Sequence, residues 1–189
     1  MEAFKGAKHL ETVYANAECL ATKLEVEQAC DRMADEITEK LSQSNPILIG
    51  LMTGGIVVMG MLLTRLRFPL QVDYVHVSRY GNNTVGGSLE WIQGVHTNLE
   101  DRVVLLVDDL LDRGITLSGV CDYCYKEGAL DVQTAVLVTK EIMYREGLSF
   151  TTYSGLTLPN RYIFGFGMDY ESWFRNAQGI FAMNDEQSC

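Results

Sequence analysis

A chain of 189 residues with 47% apolar content is long enough for one domain with a real core, and too apolar to be disordered. A net charge of −10 argues against nucleic acid as a main partner. No apolar run approaches a membrane span and the N-terminus lacks a charged-then-apolar export layout, so the expectation is a cytoplasmic protein with no membrane partner. The cysteines Cys19, Cys30, Cys121, Cys124 and Cys189 are odd in number, which does not suit a disulfide framework.

Residues 1–21 carry no clear periodicity. Thr22-Lys23-Leu24-Glu25 then has capping-box spacing, and Val26, Cys30, Met33, Ile37 and Leu41 recur at helical intervals, which predicts an amphipathic helix over a sheet. Ser42 to Pro46 ends it. Ile47 to Leu51 reads as a short buried strand. Met52-Thr53-Gly54-Gly55 and a helical run from Ile56 to about Leu66 follow. A double glycine here is either a tight turn or a loop whose N–H groups face an anion. Arg65 and Arg67 complement the helix dipole at its end.

Val72 to Val77 reads as a strand. Ser78 to Gly87 is polar and glycine-rich, and Glu90 to Val95 is a further strand. A loop this long is usually functional or disordered, and the plainer alternative is a surface β-excursion.

The densest stretch is Arg102 to Val120. Val103 to Val107 is uninterrupted and apolar, as in a strand buried on both faces. Asp108 and Asp109 follow where that strand is expected to end, then Asp112, Gly114 and Thr116, and the pattern turns helical from Thr116. Ligands of open α/β sheets sit at the carboxyl ends of strands, and a helix N-terminus suits a phosphate. Asp108 and Asp109 suit a vicinal diol, Asp112 is placed to take a proton, and Gly114 allows close backbone approach. Together they describe a sugar phosphate site. The plainer alternative is a strand–turn–helix with acidic capping.

The helix runs from Leu117 to Glu127 and Gly128 suits its C-terminal turn. Cys121 and Cys124 have CxxC spacing without a second pair or a nearby histidine, and read as helix core. Val132 to Thr139 is a strand with Lys140 at its end, a place where a lysine is either solvated or binds a ligand. Residues 141–160 look irregular. Arg161 to Asn176 combines three aromatics in alternation, Gly165 and Gly167, Asp169-Tyr170, and Phe174-Arg175. Alternating helices and apolar strands make residues 1–189 one α/β domain with a largely parallel twisted sheet flanked by helices.

Asp108-Asp109-Leu110-Leu111-Asp112-Arg113-Gly114-Ile115-Thr116 resembles the ribose-phosphate signature of the type I phosphoribosyltransferases. Arg161 to Asn176 resembles the C-terminal block of their hypoxanthine-guanine branch. The resemblance spans roughly residues 18–176 and implies a small base-binding hood built from the terminal segments. It implies a purine-salvage enzyme joining hypoxanthine, and guanine, to 5-phosphoribosyl-1-pyrophosphate, with a xanthine-preferring enzyme or a nucleotide-sensing regulator on the same fold as alternatives. Intact Asp112, Lys140 and Asp169 favour the enzyme.

By that resemblance Asp108 and Asp109 orient the ribose hydroxyls, Asp112, Arg113, Gly114, Ile115 and Thr116 hold the 5′-phosphate, and Asp112 handles a purine proton. Thr53, Gly54 and Arg175 face the pyrophosphate, and a strained peptide precedes the glycines. Ser78, Arg79 and Tyr80 belong to a mobile lid over residues 78–90. Lys140, Tyr162, Ile163 and Asp169 read the purine, Tyr162 by stacking. Magnesium is the implied cofactor, held at Asp169 directly or through water, with weaker contributions from Asp108 and Asp109 on the ribose-hydroxyl side. Family members form homodimers or homotetramers, and the same is expected here. Relatives carry small polar residues where this chain has Arg113 and Ile115, and a basic residue where it has Thr53. An anionic donor and a chain of net charge −10 also require local cations to do the attracting.

Overall fold

Ile47, Ile49 and Leu51 pack into one apolar cluster and Leu48 into another, so β2 (Ile47–Met52) buries side chains on both faces. β5 (Val103–Leu111) does the same, with Val104 and Leu106 on one face and Leu105 and Val107 on the other. Strands of this kind belong in the middle of a sheet covered on both sides, and these two pair in parallel, Ile47 opposite Val104. The computed structural model describes residues 6–79 and 89–183.

The central sheet adds β3 (Gln71–Arg79), β4 (Leu89–Gln93), β6 (Asp131–Glu141) and β7 (Tyr153–Pro159) in the order β4-β3-β2-β5-β6-β7. All neighbours are parallel except β3 and β4. α2 (Lys23–Leu41) and α3 (Gly55–Leu63) cover one face, where Val26, Cys30, Met33 and Ile37 meet Val58, Leu62, Leu48 and Leu105. α4 (Ile115–Lys126) covers the other, placing Leu117, Val120 and Cys124 against Ile49 and Leu106. α2 starts on the expected capping box. The Thr22 N–H donates to Glu25 Oε2 at 2.7 Å, and the Glu25 N–H donates to Thr22 Oγ1 at 3.3 Å. Gly128, at φ 89°, follows α4 as expected.

Three segments differ from their sequence reading. Residues 6–22 contain α1 (Ala7–Asn16) and β1 (Glu18–Thr22). Residues 141–160, expected to be irregular, contain β7, an edge strand with only Tyr153 and Leu158 buried, so it shows no apolar run. β5 does not end before Asp108 but continues through both acids to Leu111, because pairing with β6 extends to Leu111 opposite Thr139.

β1, β9 (Gly179–Ala182) and β8 (Ile163–Phe164) form a second, antiparallel sheet in the order β1-β9-β8. Val13 of α1, Phe164 and Met183 make its core, and Phe164 stacks on Phe181 at 5.6 Å. This is the hood expected from the terminal segments. No helix among the described residues is long and apolar enough to cross a membrane.

Asp73 of β3 is 8% exposed and staples the turn after β4. It accepts from the N–H groups of His96 at 2.8 Å, Thr97 at 2.7 Å and Tyr74 at 2.7 Å. Burial raises its pKa, but these donors outweigh burial and hold it below the ordinary carboxylate value. Asp73→Ala strands the donors and should cost about 1–3 kcal/mol, read as a lower urea midpoint with an unchanged m-value.

Candidate active site

The parallel strands β2, β5 and β6 end at one edge of the sheet, and the loops that leave them build the site. After β5 the chain turns at Gly114, at φ 73°, into α4. A Cβ at Gly114 would lie 2.3 Å from the Leu148 carbonyl oxygen, so only glycine fits. The first intrahelical bond of α4 runs from the Ser118 N–H to the Gly114 carbonyl. The N–H groups of Ile115, Thr116 and Leu117 therefore lack intrahelical partners. Asp108, Asp109, Asp112 and the loop Arg113–Leu117 line a cavity of about 210 Å³. An oxyanion is the ligand that such a helix start attracts.

After β2 the Met52–Thr53 peptide is cis, and Gly54 caps α3 without a side chain. A Cβ at Gly54 would sit 2.1 Å from Asp109 Oδ2, and one at Gly167 would sit 2.3 Å from the Gly54 carbonyl oxygen. Three distant segments, at Gly54, Asp109 and Gly167, therefore meet without room for a methyl group. The segment that contributes Gly167 contains two hairpin turns. Gly165 and Met168 bridge across Phe166-Gly167, and Tyr170 and Trp173 bridge across Glu171-Ser172, with all four central residues at positive φ. They aim Asp169 and Arg175 at each other. Arg175 Nη2 lies 2.7 Å from Asp169 Oδ1, and its Nη1 donates to the Gly167 carbonyl at 2.6 Å. The other Asp169 oxygen accepts the Ser172 N–H at 2.7 Å.

At the end of β6 Lys140 is buried, and its Nζ lies 3.6 Å from Asp112 Oδ2. Tyr162 is half exposed, edge-on to Tyr170 at 5.8 Å, and Ile163 beside it is buried in β8.

Residues 17–171 match the model of the phosphoribosyl transferase domain.

The chain belongs to the phosphoribosyl transferase family.

The hypoxanthine-guanine-xanthine phosphoribosyltransferase of Tritrichomonas foetus is 30% identical over 152 residues, covering 80% of this chain and 83% of that protein. The bifunctional protein TilS/HprT of Listeria innocua is 30% identical over 168 residues, 88% of this chain, which spans about a quarter (26%) of that longer protein. A solved hypoxanthine-guanine-xanthine phosphoribosyltransferase structure superposes with a TM-score of 0.81 at 27% identity, covering 89% of this chain and 97% of that one.

Within this phosphoribosyl transferase fold, Asp108, Asp109, Asp112, Gly114, Ile115 and Thr116 come together at the cavity. Arg113 lines it too, but its guanidinium forks onto Glu146, with Nε to Oε1 at 2.8 Å and Nη2 to Oε2 at 2.6 Å. Ser78 and Arg79 lie in β3, where Ser78 Oγ reaches Glu90 of β4 at 3.3 Å. Tyr80, like the rest of the expected lid up to residue 88, lies outside the described residues. The thiols of Cys121 and Cys124 are pushed up to about 11 and about 12 by burial, in keeping with a core role. Gly167 lies within the recognised C-terminal block, but its close approach to Gly54 was not foreseen. Segment 142–149, which backs the 113–117 loop, carried no motif signal.

The two adjacent carboxylates dominate the electrostatics. Burial, then the neighbouring Asp109 charge, raises the Asp108 pKa well above the ordinary value. Burial also raises Asp109, against the Asp108 hydrogen bond and the Arg175 charge. The folded protein thus binds more protons than the unfolded chain between the ordinary carboxylate range and these raised values, and stability falls as pH rises through that window. Asp108→Asn removes the repulsion and should raise Tm at pH 7.5 by on the order of a few °C. The gain should shrink as pH falls, because protonation of the native pair relieves the same repulsion. A thermal-shift series from pH 4 to 8 checks both the sign and the window.

Proposed function

We propose that this protein is a purine-salvage enzyme that transfers the 5-phosphoribosyl group of 5-phosphoribosyl-1-pyrophosphate to hypoxanthine, and to guanine, releasing pyrophosphate. The observation that carries the reading is the pairing of buried Lys140 with Asp112 at 3.6 Å beside an anion-binding helix start. It sets a hydrogen-bond donor for a 6-oxo group next to a proton acceptor, at the mouth of a phosphate loop. The name of the Tritrichomonas relative supports the same substrate class.

In this reading the 5′-phosphate rests on the N–H groups from Gly114 to Leu117 with the Thr116 hydroxyl. Asp108 and Asp109 accept from the ribose hydroxyls, which fixes the anomeric carbon relative to the base. Thr53, Gly54 and Arg175 face the pyrophosphate, and Arg175 trades its Asp169 contact for the leaving group. Tyr162 stacks on the purine, the backbone near Ile163 and Asp169 meets its edge, and Lys140 donates to its 6-oxo oxygen. Asp112 accepts the ring proton as the base nitrogen becomes nucleophilic.

Among the described residues no three side chains form a self-sufficient metal site. Yet Asp108 and Asp109 share a burial that penalises their charge, and the Asp169 charge adds to that on Asp109. An all-oxygen set of one or two carboxylates fits a magnesium ion that arrives on the donor's phosphates. Asp169 would hold it, with Asp108 and Asp109 as weaker contributors. When bound, it neutralises charge on the departing pyrophosphate.

The unpaired thiols of Cys19, Cys30, Cys121 and Cys124 suit a reducing cytoplasm. Assembly into a homodimer or homotetramer belongs to the same reading and rests on the family resemblance.

A spectrophotometric assay with donor, magnesium and each of hypoxanthine, guanine, xanthine and adenine tests the reading. Turnover of the 6-oxopurines and not adenine is expected. Turnover of adenine alone would remove Lys140 from base recognition, and no product with any base would leave a nucleotide-sensing role. Asp112→Asn should lower kcat about 10²–10⁴-fold without lowering Tm, and an unchanged kcat would take Asp112 out of the mechanism.

A further inference from the structure

β5 and β6 run side by side up to Leu111 opposite Thr139, the last rung of their ladder. Asp112 lies just past it in the loop, while Lys140, one residue beyond the last rung shared with β5, stays paired with Leu158 of β7. The separation of their side chains is nevertheless what the proposed chemistry depends on. The β5–β6 ladder does not reach far enough to set it.

The guanidinium of Arg145 occupies that place. Its Nε donates to the Asp112 carbonyl at 3.0 Å, its Nη2 donates to the Lys140 carbonyl, and its Nη1 donates to the Ser149 carbonyl at 3.3 Å. Among the described residues it pairs with no carboxylate, so its fork is spent on three backbone dipoles. The segment that carries it is seated flush on the phosphate loop. The Gly147 N–H donates to the Arg113 carbonyl at 3.0 Å, and the Leu148 N–H donates to the Gly114 carbonyl at 3.0 Å. A Cβ at Gly147 would meet the Gly114 carbonyl oxygen at 2.4 Å. The Arg113–Glu146 fork closes the same seam from outside.

We propose that Arg145 is a positioning residue that replaces the missing ladder rung, bridging the Asp112 and Lys140 backbones and so fixing the base-reading strand end against the phosphate loop. The proposal rests on the reading of Asp112 and Lys140 given above. Only a planar fork of donors spans carbonyls on different segments, and a lysine ammonium is a point charge on a flexible stem. Loss of the brace displaces two correctly bound substrates relative to each other. The effect therefore falls on kcat rather than on either KM, and a shift of about 1 Å is enough for on the order of 10²-fold.

The test compares the full-length protein with Arg145→Met, Arg145→Lys and Arg145→Ala. Arg145→Met should lower kcat about 10- to 100-fold, with KM for donor and for purine each within about threefold and the protein still folded by circular dichroism. Arg145→Lys should not recover the loss, and millimolar guanidinium ion should restore part of kcat to Arg145→Ala. Wild-type kcat in Arg145→Met or Arg145→Lys overturns the proposal, as does a loss confined to KM. Amide hydrogen exchange on the ligand-free protein keeps this separate from the functional reading. Arg145→Met should speed exchange at both the Ser118 amide, which donates to the Gly114 carbonyl at the start of α4, and the Ile142 amide, which donates to the Lys140 carbonyl at the end of β6. If the wild type turns over no base, the functional reading fails on its own, and unchanged exchange at both amides then overturns the bracing role.

Discussion

The site depends on a close approach. The Asp109 carboxylate fills the space that a side chain on Gly54 would need, and the Gly54 carbonyl fills the space that one on Gly167 would need. Three segments more than fifty residues apart in sequence are thereby held backbone to side chain, with no slack for an added methyl. Any substitution there displaces backbone, which close-packed interiors resist. The approach also concentrates charge. Asp108 and Asp109 sit where burial opposes ionisation, and hydrogen bonds within the pair and the Arg175 charge offer partial relief. Such a cluster costs stability in the empty protein, and ligand hydroxyls and cations can recover that cost. Perturbed carboxylates in a cleft of this kind are more often functional than structural.

The acidity of the whole chain then stops being a paradox. With a net charge of −10 the surface does not recruit an anion at long range. In the proposed reading the attraction is local, from the starts of α3 and α4 and from Lys140 and Arg175. Arg113 is occupied by Glu146, so the phosphate loop offers backbone donors in place of a side-chain cation.

How much of this was legible in the sequence varied with the kind of interaction. β2 and β5 announced themselves because they are apolar on both faces, and α2 because its capping box is local. β7 did not, since an edge strand with two buried side chains has no periodicity to read. Asp108 and Asp109 looked like the end of a strand because carboxylates seldom continue one, whereas pairing with β6 carries the strand past them. The turns at Phe166-Gly167 and Glu171-Ser172 put three non-glycine residues at positive φ without the usual Asn or Asp, and that block was recognisable only through resemblance. Arg145 left no trace at all, because its partners are carbonyl oxygens, which every residue has.

The hood carries a consequence for how the molecule comes into being. Glu18 pairs with Ala182, a contact spanning nearly the whole chain. During synthesis from the N-terminus, the six-stranded sheet has all its strands once residue 159 has emerged, while β1 still waits for a partner more than twenty residues away. Closing so long a loop is entropically slow to repay. The wall that would face the base in the proposed reading is thus completed after the sheet, and a nascent chain that already has its 113–117 loop remains one-sided until β9 is made.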